Sequence, residues 1–426
     1  MRRSAVQTAA ALSAAALALS ACGSGDGGDG GDENVTLTMT WWGGDVRHDY
    51  TQEMIALFEE EHPNITVDVQ YTEWDGYWDQ LATQTAAQDT PDVVQMDLVY
   101  LREYIENGVL LELDESIIDT SEFTEELIDT GRHEDALYAM PVGSTSLTYA
   151  SNPDLFEEAG VEMPDDTSWT WEDLLEITTE ISENTDAYGA AGPFDSAGLE
   201  AWIRQNLGTS MVDEQGQLTW EPEDIVPYLE RQLEFQEAGA YPEPAEIAEQ
   251  RGISREQTLV ATGEAALFPA WDTMLVALSS NEGVDLEPLM LPSETGSASE
   301  AEMYYKASMF YSVYAGSDHP EEAQMLVDFL VNNEEAGQLQ QIERGIPGNE
   351  SIRDLIREDL DDLEARVLEY NEEVGEYVSD APPLQPEGYG SVQDIVMRYE
   401  DELFFGRMSP EEVAEALHAE IEGAIS

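Results

Sequence analysis

The chain has few basic residues and almost no lysine. Its 426 residues include 92 acidic and 16 basic side chains, a formal net charge of −76, and Lys306 is the only lysine. A surface that binds nucleic-acid phosphates needs clustered basic side chains, so this balance excludes a nucleic-acid partner. Such a surface repels itself at low ionic strength, whereas molar salt shortens the screening length to about 3 Å. We therefore expect a halophilic acidic surface on a protein from a salty habitat.

The chain also has a single cysteine, Cys22, which excludes an internal disulfide. Two arginines and an apolar run too short to span a bilayer precede it, as in a secretory signal. The residues LSAC (19–22) resemble a bacterial lipoprotein signal, so we expect residues 1–21 to be a signal peptide and Cys22 to be lipidated. The alternative is an ordinary cleaved signal with an incidental cysteine. Residues 22–34, rich in glycine and aspartate, are expected to form a flexible tether to the outer face of the plasma membrane.

Several other patterns are missing. No later run is long and apolar enough to cross a membrane. The five histidines are scattered without the spacing of metal ligands, and neither a nucleophile elbow nor a phosphate-binding loop is present. The sequence therefore predicts no metal, no cofactor and no catalytic residue. The length after the signal is sufficient for two domains or one two-lobed unit.

The first third of the chain alternates between strand and helix patterns. Residues 35–40 alternate apolar and polar, residues 50–58 have helical spacing, and 65–71 alternate again. A second helix over about 78–87 and a short buried strand over 91–96 follow. This order predicts a parallel sheet, whose ligands bind beyond the carboxyl ends of the strands. The residues at those ends are Trp41 to Asp45, Glu73 and Trp74, and Asp97 to Tyr100.

The second half is rich in helix patterns with clear starts. Residues 170–173 and 409–412 form capping boxes, and Pro320 begins a further helix. The apolar residues expected on the buried face of that helix are Leu326, Phe329 and Leu330.

Segments along nearly the whole chain after the tether match one family in order and spacing. They are TWWGGDVRHDYTQEMIALFEEEHPNITVDVQYTEWDGYWDQL, TPDVVQMDLVYLREYIENGVLLELDE, ALYAMPVGSTSLTYASNPDLFEEAG, SWTWEDLLEIT, GEAALFPAWDTM, SDHPEEAQMLVDFLVNN and RGIPGN. Together they resemble the extracellular solute-binding proteins of bacterial ABC importers, in the sugar-binding branch that includes maltose-binding protein. The resemblance implies an α/β, two-lobed periplasmic-binding-protein-like fold, in which each lobe is a mainly parallel sheet flanked by helices. It also implies a monomer that takes a carbohydrate ligand to the importer's transmembrane permease subunits.

The same resemblance implies how the chain divides between the lobes. The N-terminal lobe would comprise residues 35–140 and 293–312, and the C-terminal lobe residues 148–286 and 317–426. Three strands would form the hinge, with crossings near 141–147, 287–292 and 313–316. Closure of the hinge would bury the ligand between the lobes.

A sugar site needs flat aromatic side chains and polar groups that match hydroxyls. Trp41 and Trp42 should point to opposite sides, and we expect Trp42 in the cleft. The glycines before Asp45 let the backbone approach a ligand, and the resemblance implies that an aspartate there accepts sugar hydroxyls. Val46, however, stands where that branch has a lysine. The candidates from the first lobe are Trp42, Gly43, Asp45, Glu73, Trp74, Asp97 and Tyr100, with a helix cap as the alternative for Asp97.

The second half contributes fewer candidates. Trp271 is the strongest, because the resemblance implies a stacking aromatic at this point, and Asp272 follows it. Lys306 is equally compatible with a ligand contact and with a buried ion pair. The other candidates are Trp202, with core packing as the alternative; Tyr305, with Tyr304 as the alternative because only one of the two should face the cleft; and Arg344, which would reach the ligand or a neighbouring carboxylate. Arg47 and His48 are expected at an exposed helix N-terminus.

Two other functions remain open at this point. An aromatic cage could bind a different polar solute, namely a uronate oligosaccharide or a betaine-type osmolyte held by cation–π contacts. A secreted glycoside hydrolase is the alternative from a different class, because two carboxylates in an aromatic cleft would suit it.

Overall fold

A computed structural model describes residues 34–425 except 252, 280 and 282. The predicted signal peptide, Cys22 and nearly all of the tether lie outside the described residues. The strands are β1 (Val35–Trp42), β2 (Ile65–Thr72), β3 (Val93–Met96), β4 (Arg132–His133), β5 (Ala136–Leu137), β6 (Met140–Thr145), β7 (Leu147–Ser151), β8 (Tyr188–Ala190), β9 (Ala265–Trp271), β10 (Glu287–Leu289), β11 (Lys306–Val313) and β12 (Ile346–Pro347).

Helices cover both sheets and make up most of the second half of the chain. They are α1 (Asp45–Glu61), α2 (Trp74–Ala86), α3 (Leu98–Glu106), α4 (Glu125–Asp129), α5 (Pro153–Ala159), α6 (Trp171–Asn184), α7 (Ser196–Leu207), α8 (Pro222–Glu237), α9 (Pro244–Gln250), α10 (Leu275–Leu278), α11 (Pro320–Asn332), α12 (Glu334–Gln340), α13 (Glu350–Ile356), α14 (Asp362–Val374), α15 (Val392–Phe404) and α16 (Pro410–Ala424). Among the described residues, none of these helices has the length and apolar character needed to cross a membrane.

The first sheet has six strands in the order β12-β6-β11-β3-β1-β2. As predicted, β1 pairs in parallel with β2 and β3. The other neighbours, β3 with β11, β11 with β6 and β6 with β12, are antiparallel, so the sheet is mixed rather than mainly parallel. The difference arises because β11 enters the sheet late in the chain and runs opposite to β3.

The second sheet has four strands in the order β10-β7-β9-β8, and β4 pairs with β5 in a separate small ribbon. Only β8 and β9 are parallel in the second sheet, so it is also mixed. Each sheet has its own buried core: Met39 and Phe310 belong to the first, Leu267 and Phe156 to the second. The molecule is therefore an α/β protein with two lobes, as predicted.

The chain passes between the lobes at three places, and two differ from the sequence expectation. The first crossing, at Ser146 between β6 and β7, falls inside the predicted segment. The second is not at 287–292, since β10 pairs inside the second sheet and Tyr304 still packs in the second core. It lies between Tyr304 and Tyr305, the latter of which packs in the first core.

The third crossing is also later than the predicted 313–316. Helices α11 and α12 pack on α1, and β12 pairs with β6, so this part of 317–426 belongs to the first lobe. The chain leaves that lobe between α13, which packs on α12, and α14, which packs on α10 and β10 of the second lobe. The third crossing could not be located from the sequence, because pairing between strands far apart in the chain decides the lobe to which a helix belongs.

Local signals were more dependable than lobe boundaries. The capping boxes at Thr170 and Ser409 are both present, with Asp173 and Glu412 as the reciprocal carboxylates. Helix α11 begins at Pro320 and buries the three residues predicted for its inner face. Helix α2 begins at Trp74, four residues before the predicted start.

Candidate ligand-binding site

Trp271, the last residue of β9, borders two adjoining cavities. The larger, of about 320 Å³, lies within the second lobe between the end of β9 and α15. The smaller, of about 140 Å³, lies between the lobes. Leu98 and Val99, at the start of α3 in the first lobe, line the smaller cavity together with Asp195 and Trp271 from the second. An aromatic ring thus lies where a ligand enclosed between the lobes would contact it.

Two residues at the second crossing position Trp271. Tyr304 packs against the indole with ring centroids 6.3 Å apart and planes at 73°. The ammonium nitrogen of Lys306 lies 5.1 Å from the Trp271 ring centroid. Both side chains line the smaller cavity, so Tyr304 borders it and the neighbouring Tyr305 does not.

Asp195 and Gln393 supply polar groups to both cavities. The Asp195 carboxylate accepts hydrogen bonds from the Ala197 N–H at 2.9 Å and from the Gln393 amide at 2.7 Å. Burial raises the pKa of Asp195, and the Ala197 N–H opposes that rise. Sequence reasoning missed both residues, although an aspartate directly before the helical stretch 196–207 is the pattern of an N-cap.

The first lobe carries a cluster of five aromatic side chains next to α3, the helix whose first residues line the smaller cavity. Trp42 lies 5.0 Å from Trp74, 5.2 Å from Tyr77 and 5.6 Å from Trp78 between ring centroids, and Trp78 stacks on Tyr100 at 3.9 Å. We call this set the aromatic cluster. Trp78 was not among the predicted site residues, although it lies four residues after Trp74 on α2 and therefore on the same helix face.

The aromatic cluster is only partly accessible. Trp42 is 7% exposed because its neighbours cover it, whereas Trp74 is 40% exposed. Tyr100 belongs to α3 and follows directly after Val99, which lines the smaller cavity. The cluster and that cavity therefore share one helix, and Trp74 offers the largest free aromatic surface of the cluster.

The polar residues at the strand ends have varied surroundings. Gly43 has φ +148°, and a Cβ there would lie 2.4 Å from Cδ of Arg47, so the turn requires glycine. Asp45 is exposed in the first turn of α1, and Glu73 is exposed before α2. The Asp97 carboxylate accepts a hydrogen bond from the Val99 N–H at 3.0 Å, which makes it the N-cap of α3.

Trp41 and His48 form a buried pair behind this edge. Trp41 is fully buried, as expected, and its indole N–H donates to Nδ1 of His48 at 3.0 Å. The expectation of an exposed His48 was wrong, because its ring packs 3.9 Å from that of Tyr71. Burial lowers the pKa of His48. The expectation of an exposed Arg47 was also wrong: its side chain is 11% exposed because it packs against Glu343, with which it forms an ion pair at 2.9 Å.

Asp272 does not line either cavity, although it follows Trp271 directly. It is fully buried and accepts hydrogen bonds from the Thr145 hydroxyl at 2.6 Å and the Asn371 amide at 2.7 Å. Burial raises its pKa to about 6, and both hydrogen bonds oppose that rise. Because Thr145 ends β6 at the first crossing, Asp272 stabilises that crossing and does not border either cavity.

Tyr305 and Arg344 are also buried away from the ligand cavities. The Tyr305 hydroxyl donates to the Asn371 carbonyl at 2.6 Å, next to the hinge. Arg344 is fully buried in the first lobe and donates to the Tyr50 hydroxyl at 2.7 Å and to Oε1 of Gln95 at 3.3 Å. The sequence could not show that these polar side chains point into the protein.

Trp202 lies in the core of the second lobe, which was the alternative interpretation. It is 7% exposed, and its indole N–H donates to the Asp224 carbonyl at 3.3 Å. The guanidinium of Arg231 covers its ring at 4.7 Å. It borders neither cavity beside Trp271.

A ring next to hydrogen-bonding side chains suits a sugar, which has apolar C–H faces and a rim of hydroxyls. Within the described part of the chain, no group of three or more His, Cys, Asp or Glu side chains is arranged to hold a metal ion. The aromatic ring of Trp271 beside the Asp195 carboxylate and the Gln393 amide can contact a polar ring through stacking and hydrogen bonds.

The two-lobed fold is that of the periplasmic-binding-protein class. It aligns with an extracellular solute-binding protein of Alicyclobacillus acidocaldarius (TM-score 0.78, 22% identity) over 92% of this chain and 99% of that one. It also aligns with an oligogalacturonide-binding protein of Yersinia enterocolitica (TM-score 0.78, 22% identity) over 92% of this chain and 100% of that one. At this identity the similarity shows the fold.

The sequence places the chain in one family within that class. The family described as bacterial extracellular solute-binding protein matches residues 44–337, and the chain belongs to it. A galactooligosaccharide-binding protein of Bacillus subtilis is 24% identical over 349 residues, 80% of this chain and 79% of that protein. The chain aligns with only 32% of the length of three Brucella proteins named as binding proteins, at 25% identity over 134 residues.

Proposed function

We propose that the chain is the receptor of a bacterial ABC importer and binds a sugar or oligosaccharide between its two lobes. The observation that carries this proposal is the position of Trp271, which borders the cavity between the lobes beside Asp195 and Gln393. The named specificities of the Bacillus and Yersinia proteins, both for oligosaccharides, support the same ligand class.

In this proposal Trp271 stacks on one face of a sugar ring. Asp195 and the Gln393 amide, which already bind each other at 2.7 Å, accept and donate hydrogen bonds to its hydroxyls. Trp74 and the rest of the aromatic cluster receive further sugar units from the side of the first lobe. Selectivity follows because a buried polar group left without its hydroxyl partner costs about 1–3 kcal/mol.

Rotation of the lobes about the three crossings would enclose the ligand. The closed form would then dock on the transmembrane permease subunits, which take the sugar onward. We further propose that Cys22 carries a lipid that holds the exported receptor at the membrane, since two or more acyl chains anchor a protein stably where one does not. The protein would act as a monomer.

The test is calorimetric titration of the body of the protein with mono- and oligosaccharides in molar salt. We expect one or more sugars to bind without being changed, and Trp271→Ala to weaken that binding about ten-fold or more, because a stacking ring is lost. The matched control is Trp171→Ala, which removes a partly buried tryptophan that borders neither cavity. Equal affinity in both variants would overturn the assignment of the site, and hydrolysis of the sugar would favour a glycoside hydrolase instead.

A further inference from the structure

Most basic side chains of the described chain are occupied by acidic partners. Eleven arginines form ion pairs with Asp or Glu. Arg255, Lys306 and Arg344 form none with a described residue. Arg344 is fully buried in the first lobe, whereas Arg255 lines the larger cavity and Lys306 lines the smaller one. In a chain of net charge −76, two of the three cations without an ion pair thus line the cavities beside Trp271.

The surroundings of Lys306 leave its ammonium group available to a ligand. It is partly buried at the start of β11 and lies 5.1 Å from the Trp271 ring centroid. Asp195 lines the same cavity, but its carboxylate is engaged by the Ala197 N–H and the Gln393 amide. The charge of Lys306 acts to lower the pKa of Asp195, although the two side chains form no direct ion pair. A partly buried ammonium group without a direct carboxylate contact is costly, and an anionic ligand would reduce that cost.

From this arrangement we infer that the site takes an acidic sugar, whose carboxylate binds Lys306 while its ring lies against Trp271. The inference rests on the proposed sugar-binding function and narrows its substrate class to uronic acids and their oligomers. A single ammonium group matches the single charge that each carboxylate of a uronate carries. A sugar phosphate would place up to two charges on one group, in a cavity that Asp195 and Glu200 also line.

The experiment compares digalacturonate with its dimethyl ester, which keeps both rings and replaces each carboxylate by an uncharged methyl ester. Titrations in molar salt suppress long-range attraction, so a remaining preference reports direct contact. We expect the acid to bind about ten-fold or more tightly than the ester, because hydrogen bonds to charged groups are stronger than neutral ones. Galactobiose and galactose phosphate are the neutral and phosphorylated comparisons.

Variants of Lys306 then assign the preference to this residue. Lys306→Met should remove the preference for the acid over the ester, and Lys306→Arg should retain that preference. Arg398→Gln, at a surface ion pair with Glu420, removes the same charge elsewhere and should change nothing. Circular dichroism of each variant checks folding.

Three outcomes would overturn the inference. One is equal binding of acid and ester, a second is equal loss of both in Lys306→Met, and the third is a stronger preference for the phosphate. Each of these leaves the proposed function standing as long as a neutral sugar binds. If no carbohydrate of any kind binds, the proposed function fails as well.

Discussion

At the scale of single residues, Glu400, which lines the larger cavity, has a strongly raised pKa. Its side chain is 2% exposed on α15, and burial raises its pKa to about 8 although Arg251 lies 3.3 Å away. The Tyr228 hydroxyl is its second partner, at 3.4 Å. Near neutral pH this carboxyl group is therefore largely protonated inside a very acidic chain.

The raised pKa predicts how the stability of the protein depends on pH. The folded state keeps a proton on Glu400 that the unfolded chain releases above its ordinary pKa of 4.5, so this contribution to stability is lost as the pH rises from about 4.5 to 8. Glu400→Gln should remove a slope of up to about 1.4 kcal/mol per pH unit in that window. Urea unfolding between pH 5 and pH 9 measures it.

The control is Glu415→Gln, which removes one charge at an exposed position of α16. Its unfolding free energy should follow the wild-type pH profile. If the pH profiles of Glu400→Gln and the wild type run parallel between about pH 4.5 and 8, the assignment of a proton to Glu400 in the folded state is wrong.

The sequence could predict which residue types form the site, but not where each side chain points. Trp271 borders the cavities, whereas Asp272 points to Thr145 at the first crossing because successive residues at a strand end face opposite sides. For the same reason the sequence could not decide between two adjacent tyrosines: Tyr305 was the candidate, but Tyr304 lines the smaller cavity. Asp195 was missed because its position depends on the start of α7 and the end of β9 bordering the same cavities, which no local pattern shows.

At the scale of secondary-structure elements, the helix starts give a direct test of local signals. Ser409 accepts a hydrogen bond from the Glu412 N–H at 3.3 Å, and the Glu412 carboxylate accepts one from the Ser409 N–H at 3.0 Å. Ser409→Ala should lower the free energy of unfolding by about 0.5–2 kcal/mol, since one helical N–H loses its partner. Chemical denaturation followed by circular dichroism measures the change.

Ser391, at the N-cap position of α15, provides the comparison, because its side chain makes no capping hydrogen bond. Ser391→Ala should therefore stay within about 0.5 kcal/mol of the wild type. If Ser391→Ala lowered the free energy of unfolding as much as Ser409→Ala, the capping hydrogen bond of Ser409 would not be the cause of its stabilising effect.

Most elements could be predicted from the sequence because their signals are local. The periodicity of 35–71 and the caps at Thr170, Pro320 and Ser409 each depend on residues within a few positions of one another. The lobe boundaries could not be predicted in the same way, because β11 pairs with β3 across more than 200 residues. Antiparallel pairing of that strand is fixed by the fold of the whole chain.

At the scale of the whole molecule, the net charge of −76 predicts a strong dependence on salt. Self-repulsion is screened at molar ionic strength, so the midpoint of thermal unfolding should rise by about 5 °C or more between 0.1 M and 3 M KCl. Circular dichroism measures the midpoint. Sucrose at matched osmolality is the control for excluded-solute effects, and a midpoint that stays level or falls in KCl would contradict the prediction.

The order of the strands has a consequence for biosynthesis. The central strand β11 sits between β3 and β6, so a nascent chain that ends before residue 306 leaves two open edges in the first sheet. The other lobe must wait for α14 to α16, which supply part of its core. We expect that neither lobe can complete its folding until almost the entire polypeptide has been made. The chain would therefore stay unfolded enough to pass through an export channel until its last helices have been synthesised.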